Sequence, residues 1–404
     1  MTSRARDLRR NNRASTLSVL LTDGPLSRGE LSRITKLSVT TVGKVITEMI
    51  DEGLVVEAGR VGPEGGRPTT LLRVDQCHGY VVGVAVEEEL MTAELFDLTL
   101  GAVAATACPL PVDVDVITDV LARLPACVEE LLARSGVDRQ RVVGVGVAVS
   151  ESLACEWAKP PGAVASQHTP PPLQFLRFGS STVPVFFDHM ARTLSQAESW
   201  FAGVRGTHGT LTVVIDTGIS AAMAGDGMTR PMPPARLIGL GHTVISYRGR
   251  PCRCGSLGCL DAYAGVTGIL DRYRRTAGNR VCHDREERRA LATLVDSATR
   301  SRTARKVLAE AAGYLGAGIG GLINLLDPDR VLLGGWAGQL LGAVVLGEIR
   351  EAARDHSVRR DHDRTTIQLC PPGPEMAERG AATLPIMALF LAGGDTITTT
   401  VGDP

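Results

Sequence analysis

Apolar residues between Ala14 and Leu21 recur at helical spacing, and Gly24-Pro25 stops the run. Ser27-Arg28-Gly29-Glu30 then has the form of a capping box, with Ser27 placed to accept the N–H of residue 30 and Glu30 to reach back. A short helix to about Ile34 is predicted, then a turn over Thr35 to Leu37. Ser38 is a second N-cap, and the helix after it runs to about Asp51. Val42, Val45, Ile46, Met49 and Ile50 form its apolar face. Gly53 leads into a strand at Leu54-Val55-Val56, Gly65-Gly66-Arg67-Pro68-Thr69 reads as a hairpin tip, and Leu71 to Val74 returns.

From Tyr80 onward the pattern changes to period two. Tyr80–Val86, Thr92–Leu98 and Ala102–Cys108 read as a three-strand meander, followed by a helix over Val116–Arg134. Strands are expected at Arg141–Val149, Val183–Phe187, Thr210–Asp216 and Arg330–Leu333. Helices are expected at Ala191–Gly203, Leu260–Arg275, Ala304–Leu326 and Glu375–Leu391, the last packing back onto the body. A Pro-rich loop covers Pro160 to Pro172, and the tail from Gly393 is rich in Thr and Gly. Alternating strands and helices imply an α/β body over residues 79–404, behind a smaller unit over residues 1–78.

Two short capped helices joined by a three- or four-residue turn, followed by a hairpin, make a winged helix-turn-helix. The second helix leaves Val39, Thr40, Thr41, Gly43, Lys44 and Thr47 free near its start. Small and hydroxylated side chains there let a helix sit deep in a major groove, and a lysine reaches phosphate. Arg28, Ser38, Thr40, Thr41 and Lys44 are the candidate contacts, with Arg67 at the wing tip suited to a narrow minor groove. The alternative reading of this unit is a helical dimerisation module with a polar hairpin.

Composition narrows the picture. A chain of 404 residues with 44% hydrophobic content exceeds one ordinary domain and has ample core. Its formal net charge of −1 excludes a global field that draws in nucleic acid, so any such contact is local. The first 75 residues carry 12 Lys/Arg against 9 Asp/Glu, and Arg4, Arg6, Arg9, Arg10 and Arg13 form a basic leader. Nine cysteines do not resemble a disulfide framework, no apolar run reaches the roughly 18 residues of a membrane span, and the N-terminus has no apolar signal core. A reduced cytoplasmic location without membrane contact is expected.

The sharpest chemistry lies in residues 241–259, GHTVISYRGRPCRCGSLGC. His242, Cys252, Cys254 and Cys259 stand at the spacing His-x9-Cys-x-Cys-x4-Cys. Three thiols and an imidazole complete a tetrahedral set and leave no vacancy for water, which reads as a structural Zn2+ site. Glycines at 249, 255 and 258 permit the tight turns. The alternative is three ordinary thiols beside a surface histidine.

The combination of a winged helix-turn-helix with this Gly-His…Cys-x-Cys-Gly-x2-Gly-Cys loop resembles the ROK family, named for repressors, open reading frames and kinases. The segment Asn324 to Pro328 followed by Leu333-Gly334-Gly335 adds to the resemblance, which covers nearly the whole chain. It implies an actin-like, two-lobed sugar-kinase fold, a homodimer or dimer of dimers, and a sugar cleft beside the zinc loop.

Matched against the family's kinases, the functional positions are altered. The Asp-x-Gly-Gly-Thr phosphate loop reads Ala85-Val86-Glu87-Glu88-Glu89, with carboxylates where amides would approach phosphate. The Asn-Asp pair holding the general base, counted back from Glu198, falls on His189-Met190, and methionine takes no proton. A gap of one or two residues would instead make Asp188 the base. The second phosphate loop reads Asp216-Thr217-Gly218, and the Glu-x-Gly-His sugar clamp reads Gly239-Leu240-Gly241-His242. Asp261 stands where the family has a glutamate after the last zinc cysteine. Asp188, His189, Gly218, His242 and Asp261 are the candidate effector contacts, each open to a purely structural reading. The resemblance thus implies a repressor of carbohydrate genes that binds a double-stranded DNA operator and responds to a sugar or sugar derivative, with no catalytic residues. Its alternatives are a sugar kinase with a DNA-binding appendage, and a ligand-independent regulator.

Overall fold

A computed structural model describes residues 3–62, 68–87, 90–110, 116–150, 153, 174–178, 181–201, 209–224, 235–277, 287–358, 363–370 and 375–395. The N-terminal unit comprises α1 (Ser3–Asp23), β1 (Leu26–Ser27), α2 (Arg28–Thr35), α3 (Val39–Asp51), β2 (Val55–Val61) and β3 (Thr69–Val74). The capping box forms as expected: Glu30 N–H donates to Ser27 Oγ at 3.3 Å and Ser27 N–H to Glu30 Oε2 at 2.9 Å. Lys36 ends α2 in the left-handed region (φ 59°), turning the chain into the Ser38 cap of α3. β2 and β3 pair antiparallel, and β1 adds to the outer side of β3. The hairpin tip, with Arg67, lies outside the described residues.

One local expectation needs correction. The first helix begins at Ser3, not at Ala14. Arginine is a good helix former and no breaker separates Ser3 from Ala14. The leader is therefore the first half of α1, and its arginines gain carboxylates: Arg9 donates to Glu48 at 3.0 Å, and Arg13 to Glu52 at 2.8 Å.

The body has two lobes, each built on one sheet. The first sheet runs β6-β5-β4-β7-β9-β8 and the second β12-β11-β10-β13-β14. In the first, β4 (Tyr80–Val86), β5 (Leu90–Asp97) and β6 (Ala102–Pro109) form the expected meander. β7 (Val142–Val149) and β9 (Ser181–His189) continue it in parallel, and β8 (Gln174–Phe178) closes the edge antiparallel to β9. Helix α4 (Val116–Ser135) covers one face, with Leu124, Val128 and Leu131 in its core.

The second sheet takes β10 (Thr210–Ile215), β11 (Ile219–Ala224), β12 (Arg236–Ile238), β13 (Arg330–Gly334) and β14 (Thr366–Leu369). Its outer face carries α9 (Arg302–Leu326) and α10 (Trp336–Asp355), packed on α7 (Val266–Ala277) and α8 (Glu287–Ser297). The single helix expected over Leu260–Arg275 is divided at Gly265 into α6 (Asp261–Ala264) and α7.

Two helices fill the layer between the sheets, α5 (Met190–Phe201) against β10 and β11, and α11 (Glu375–Leu391) against β4 and β7. A Cβ at Gly83 would lie 1.8 Å from Glu378 O, and one at Gly146 1.9 Å from Ala381 O, so only glycine lets α11 rest on the strands. The core of the N-terminal unit is continuous with this layer: Leu17, Leu20, Ile46, Met49 and Leu54 share one cluster with Phe96, Trp200, Ile386 and Phe390.

Candidate functional site

In the N-terminal unit, α2 and α3 pack through Leu31, Val42, Val45 and Ile46, all buried. The opposite side of α3 is open. Val39, Thr40, Lys44 and Thr47 are exposed, and a Cβ on Gly43 would meet nothing within 4 Å. Ser38 caps the helix, accepting Thr41 N–H at 3.1 Å and sharing a hydroxyl contact with Thr41 at 2.8 Å. Both hydroxyls are therefore tied to holding the N-terminus of α3, while Thr40 and Lys44 remain for a partner. Arg28 stands half-buried at the first position of α2. Arg33, Lys36 and Arg60 are exposed around the same unit and were missed by the motif reading. The signal that could have found them is their position, in the last turn of α2, in the inter-helix turn and on the wing strand. The leader arginines behave differently. Arg9 and Arg13 reach the C-terminal end of α3, away from its open start.

The metal loop is folded as a compact knuckle. Two short bridges, Val244 to Cys259 and Pro251 to Leu257, bring its arms together, and Gly255 and Gly258 turn at φ of 91° and 83°. One ligand atom from each of His242, Cys252, Cys254 and Cys259 lies within 4.8 Å of the others. Cys254 Sγ and Cys259 Sγ are 3.7 Å apart, as are Cys252 Sγ and His242 Nδ1. A tetrahedral site with Zn–S bonds of about 2.3 Å has S···S edges of about 3.8 Å, so the donor set fits such an ion. Burial pushes the Cys259 thiol up to about 12 and raises Cys252. Burial alone would raise Cys254 as well, but hydrogen bonds from Ser256 and the neighbouring thiols bring it below its ordinary value. A divalent cation is what turns such a buried thiol cluster into thiolates.

Between the lobes, Asp188 and His189 end β9 and lead into α5. His189 N–H donates to Asp188 Oδ1 at 2.7 Å, Ala191 N–H to His189 Nδ1 at 3.3 Å, and Arg192 pairs with Asp188 at 3.2 Å. Burial raises the Asp188 carboxyl, and the Arg192 charge opposes that shift. Met190 is 3% exposed and packs among Ala85, Ala148, Val214 and Ala222, in apolar surroundings drawn from both sheets.

Glu87 and Asp216, at the ends of β4 and β10, are both engaged within the chain. Glu87 pairs with Arg288 of α8 at 2.7 Å across the lobes, and the Arg288 guanidinium lies 5.5 Å from the centre of the Trp336 ring. Asp216 Oδ1 accepts the Trp336 N–H at 2.9 Å, which seats a carboxylate on the first turn of α10, where a helix attracts an anion. Glu88 and Glu89 lie outside the described residues.

Arg253, between two cysteines of the metal loop, donates to Thr217 O at 3.0 Å and pairs with Asp261 at 3.4 Å. It joins Asp261 to the turn that carries Gly218, while His242 is grouped with the thiols. Asp188 and His189 come from the first sheet and Gly218, His242 and Asp261 from the second lobe, so a ligand shared by all five would span both. Asp261 and Arg253 also line a cavity of about 220 Å3, together with Arg250, Thr267, Arg272 and Arg275.

These features are those of a sugar-kinase scaffold carrying a helix-turn-helix head. The chain belongs to the ROK family, whose profile matches residues 165–384. It is 23% identical over 360 residues to the xylose repressor of Caldicellulosiruptor bescii, covering 87% of this chain and 89% of that one. It is 24% identical to the DNA-binding transcriptional repressor Mlc of Escherichia coli, covering 82% of each. Among solved structures, a ROK family transcriptional regulator described as a homolog of E. coli Mlc superposes with a TM-score of 0.69 at 21% identity, over 96% of this chain and 98% of that one. The ROK hexokinase of Thermus thermophilus superposes with a TM-score of 0.54 at 21% identity, over 75% of this chain and 97% of its own. The kinase match thus leaves about a quarter of this chain uncovered, and the regulator match almost none. Among the described residues, no helix is long and apolar enough to cross a membrane.

Proposed function

We propose that this chain is a DNA-binding transcriptional repressor of carbohydrate uptake or catabolic genes, acting in the cytoplasm. The observation that carries the reading is the capped α2–turn–α3 pair with its antiparallel wing, which holds Thr40 and Lys44 exposed at the start of α3. Similarity to repressors over more than four fifths of the chain supports it. A homodimer or dimer of dimers would present two such heads to a pseudo-palindromic operator, and the body would set their spacing. Thr40 would face base edges, Arg28 and Lys44 the backbone, and Arg67 the minor groove, while Ser38 and Thr41 hold the start of α3.

The body senses a sugar or sugar derivative between its lobes and does not transfer phosphate. Three observations favour this. Met190 is sealed in an apolar cluster, Glu87 is engaged by Arg288, and Asp216 already sits on the helix start that would otherwise receive an anion. A ligand that prefers one arrangement of the lobes would shift the population of DNA-competent dimers by its difference in affinity. Asp188, His189, Gly218 and Asp261 are the groups offered to it, with His242 linking the metal loop to the cleft. His242, Cys252, Cys254 and Cys259 would hold Zn2+, which closes the loop and takes no part in chemistry.

The direct test is a mobility shift with DNA from the chain's own gene neighbourhood, run with a coupled assay for ATP-dependent hexose phosphorylation. Salt-sensitive DNA binding by the dimer without turnover is expected. Turnover abolished by Asp188→Ala, without DNA binding, would establish a kinase instead.

A further inference from the structure

Arg13 is an arginine with only 5% of its side chain exposed, and it joins three elements far apart in the chain. From α1, its Nη1 donates to Glu52 Oε1 at 2.8 Å and its Nη2 to Glu52 Oε2, a two-pronged pair. Its Nε donates to the carbonyl of Gly393. Glu52 is the residue that ends α3, with its N–H bonded to Glu48 O. Glu48, one turn earlier, is held by Arg9 at 3.0 Å. Gly393 and Gly394 follow α11 after Ala392, their N–H groups bonded back to Phe390 O and Leu389 O. Gly394 turns at φ 94°, and a Cβ there would lie 2.4 Å from Leu54 Cδ2 and 3.2 Å from Arg13 Nη2. The end of α11 is thus seated against both the root of α3 and the first residues of the wing.

The rest of α11 lies at backbone contact on β4 and β7. A Cβ at its Gly380 would be 2.9 Å from the carbonyl carbon of Thr193, so it also touches α5, the helix that follows Asp188 and His189. One helix therefore contacts the central sheet, the helix beside the candidate effector groups and the base of α3. A planar guanidinium can satisfy a carboxylate pair and a carbonyl together, whereas an ammonium on a flexible stem cannot hold the same fork. The Arg13 end of the pair is buried and the Glu52 side chain is 44% exposed, so the pair adds modestly to stability while its fork holds one geometry.

We propose that Arg13 is a positioning residue for DNA reading. It pins the C-terminal end of α3 to the end of α11, so that the arrangement of the body sets the angle at which α3 is presented. This rests on α3 being the recognition helix.

The test uses the full-length chain and two probes: a duplex selected by the wild-type chain from a random-sequence pool, and a random duplex of equal length. Arg13→Lys, Arg13→Met and a chain ending at Ala392, which lacks the Gly393 carbonyl, are compared with wild type. The ratio of selected to random affinity is expected to fall about tenfold in each, the size of one coupled interaction. Random-duplex affinity and its salt dependence should stay within about twofold, since phosphate contacts remain. A ratio within twofold of wild type in both Arg13→Lys and the shortened chain would overturn the proposal. Equal loss on both probes with a lowered thermal midpoint in every variant would also overturn it, by showing a purely structural role. Lys44→Ala separates the two readings. If it weakens binding while the Arg13 variants do not, only the pin fails; if it changes neither affinity, α3 is not the recognition helix.

Discussion

The metal loop and the interlobe cleft sit next to each other and have opposite characters. In the loop, three thiols and an imidazole that could hold a metal ion are grouped within 4.8 Å. In the cleft, Glu87, Met190 and Asp216, which the family resemblance matches to kinase phosphate and base positions, are each engaged by another part of the chain. Arg253 connects the two regions, reaching from between two ligand cysteines to Asp261 and the Thr217 carbonyl. The difference separates what a scaffold needs in order to fold from what it needs in order to catalyse.

The largest effect should come from the loop. Cys254→Ser removes one thiolate, and loss of a structural metal belongs to the class of changes that cost on the order of 4–5 kcal/mol. Metal analysis and thermal melting check this; a full-strength melt with no bound zinc would break the contrast. Next, Met190→Asp places a carboxylate at the position that the family resemblance gives to the general base. In its apolar surroundings an unpaired carboxylate costs on the order of 3 kcal/mol, and the variant should lose stability without gaining hexose phosphorylation. Turnover in a coupled assay would show that the cleft is one substitution from being an enzyme.

The reading head should respond on a smaller scale. Arg67→Ala should weaken operator binding by about 1–3 kcal/mol if the wing enters the minor groove, which anisotropy titration measures. Unchanged affinity would return the wing to a structural part. Glu87→Gln should matter least. Its pair with Arg288 is largely exposed on the arginine side, and such pairs contribute about 0–1 kcal/mol. A shift of more than a few degrees in the melt would mean that this pair alone holds the lobes together.

Legibility in the sequence followed the range of the interaction. The Ser27–Glu30 box, the Ser38 cap and the Cys3His loop were readable because their partners lie within a few to eighteen residues. The meander and the long helix α9 were readable from periodicity. Helix α10 was not anticipated, since Gly338, Gly342 and Gly347 interrupt its apolar pattern, nor was β11, whose ISAAMA run is mostly small residues. The start of α1 was misplaced because its arginines looked like a solvated tail until Glu48 and Glu52 came into reach. In the cleft, the resemblance pointed to Glu87, Met190 and Asp216 but not to what engages them. Glu87 and Arg288 are 201 residues apart, and Arg13 and Gly393 are 380 apart. Such pairs exist only after the lobes and the head have packed.

The central claim is that a kinase-shaped body now serves two DNA-reading heads. Footprinting with the whole chain on the DNA upstream of its own and neighbouring genes tests it most directly. The claim predicts two protected half-sites on one face of the duplex, about 34–36 Å or a multiple of that apart, fading as salt is raised. Absence of protection at low salt, by a folded chain that phosphorylates a hexose with ATP, would contradict it.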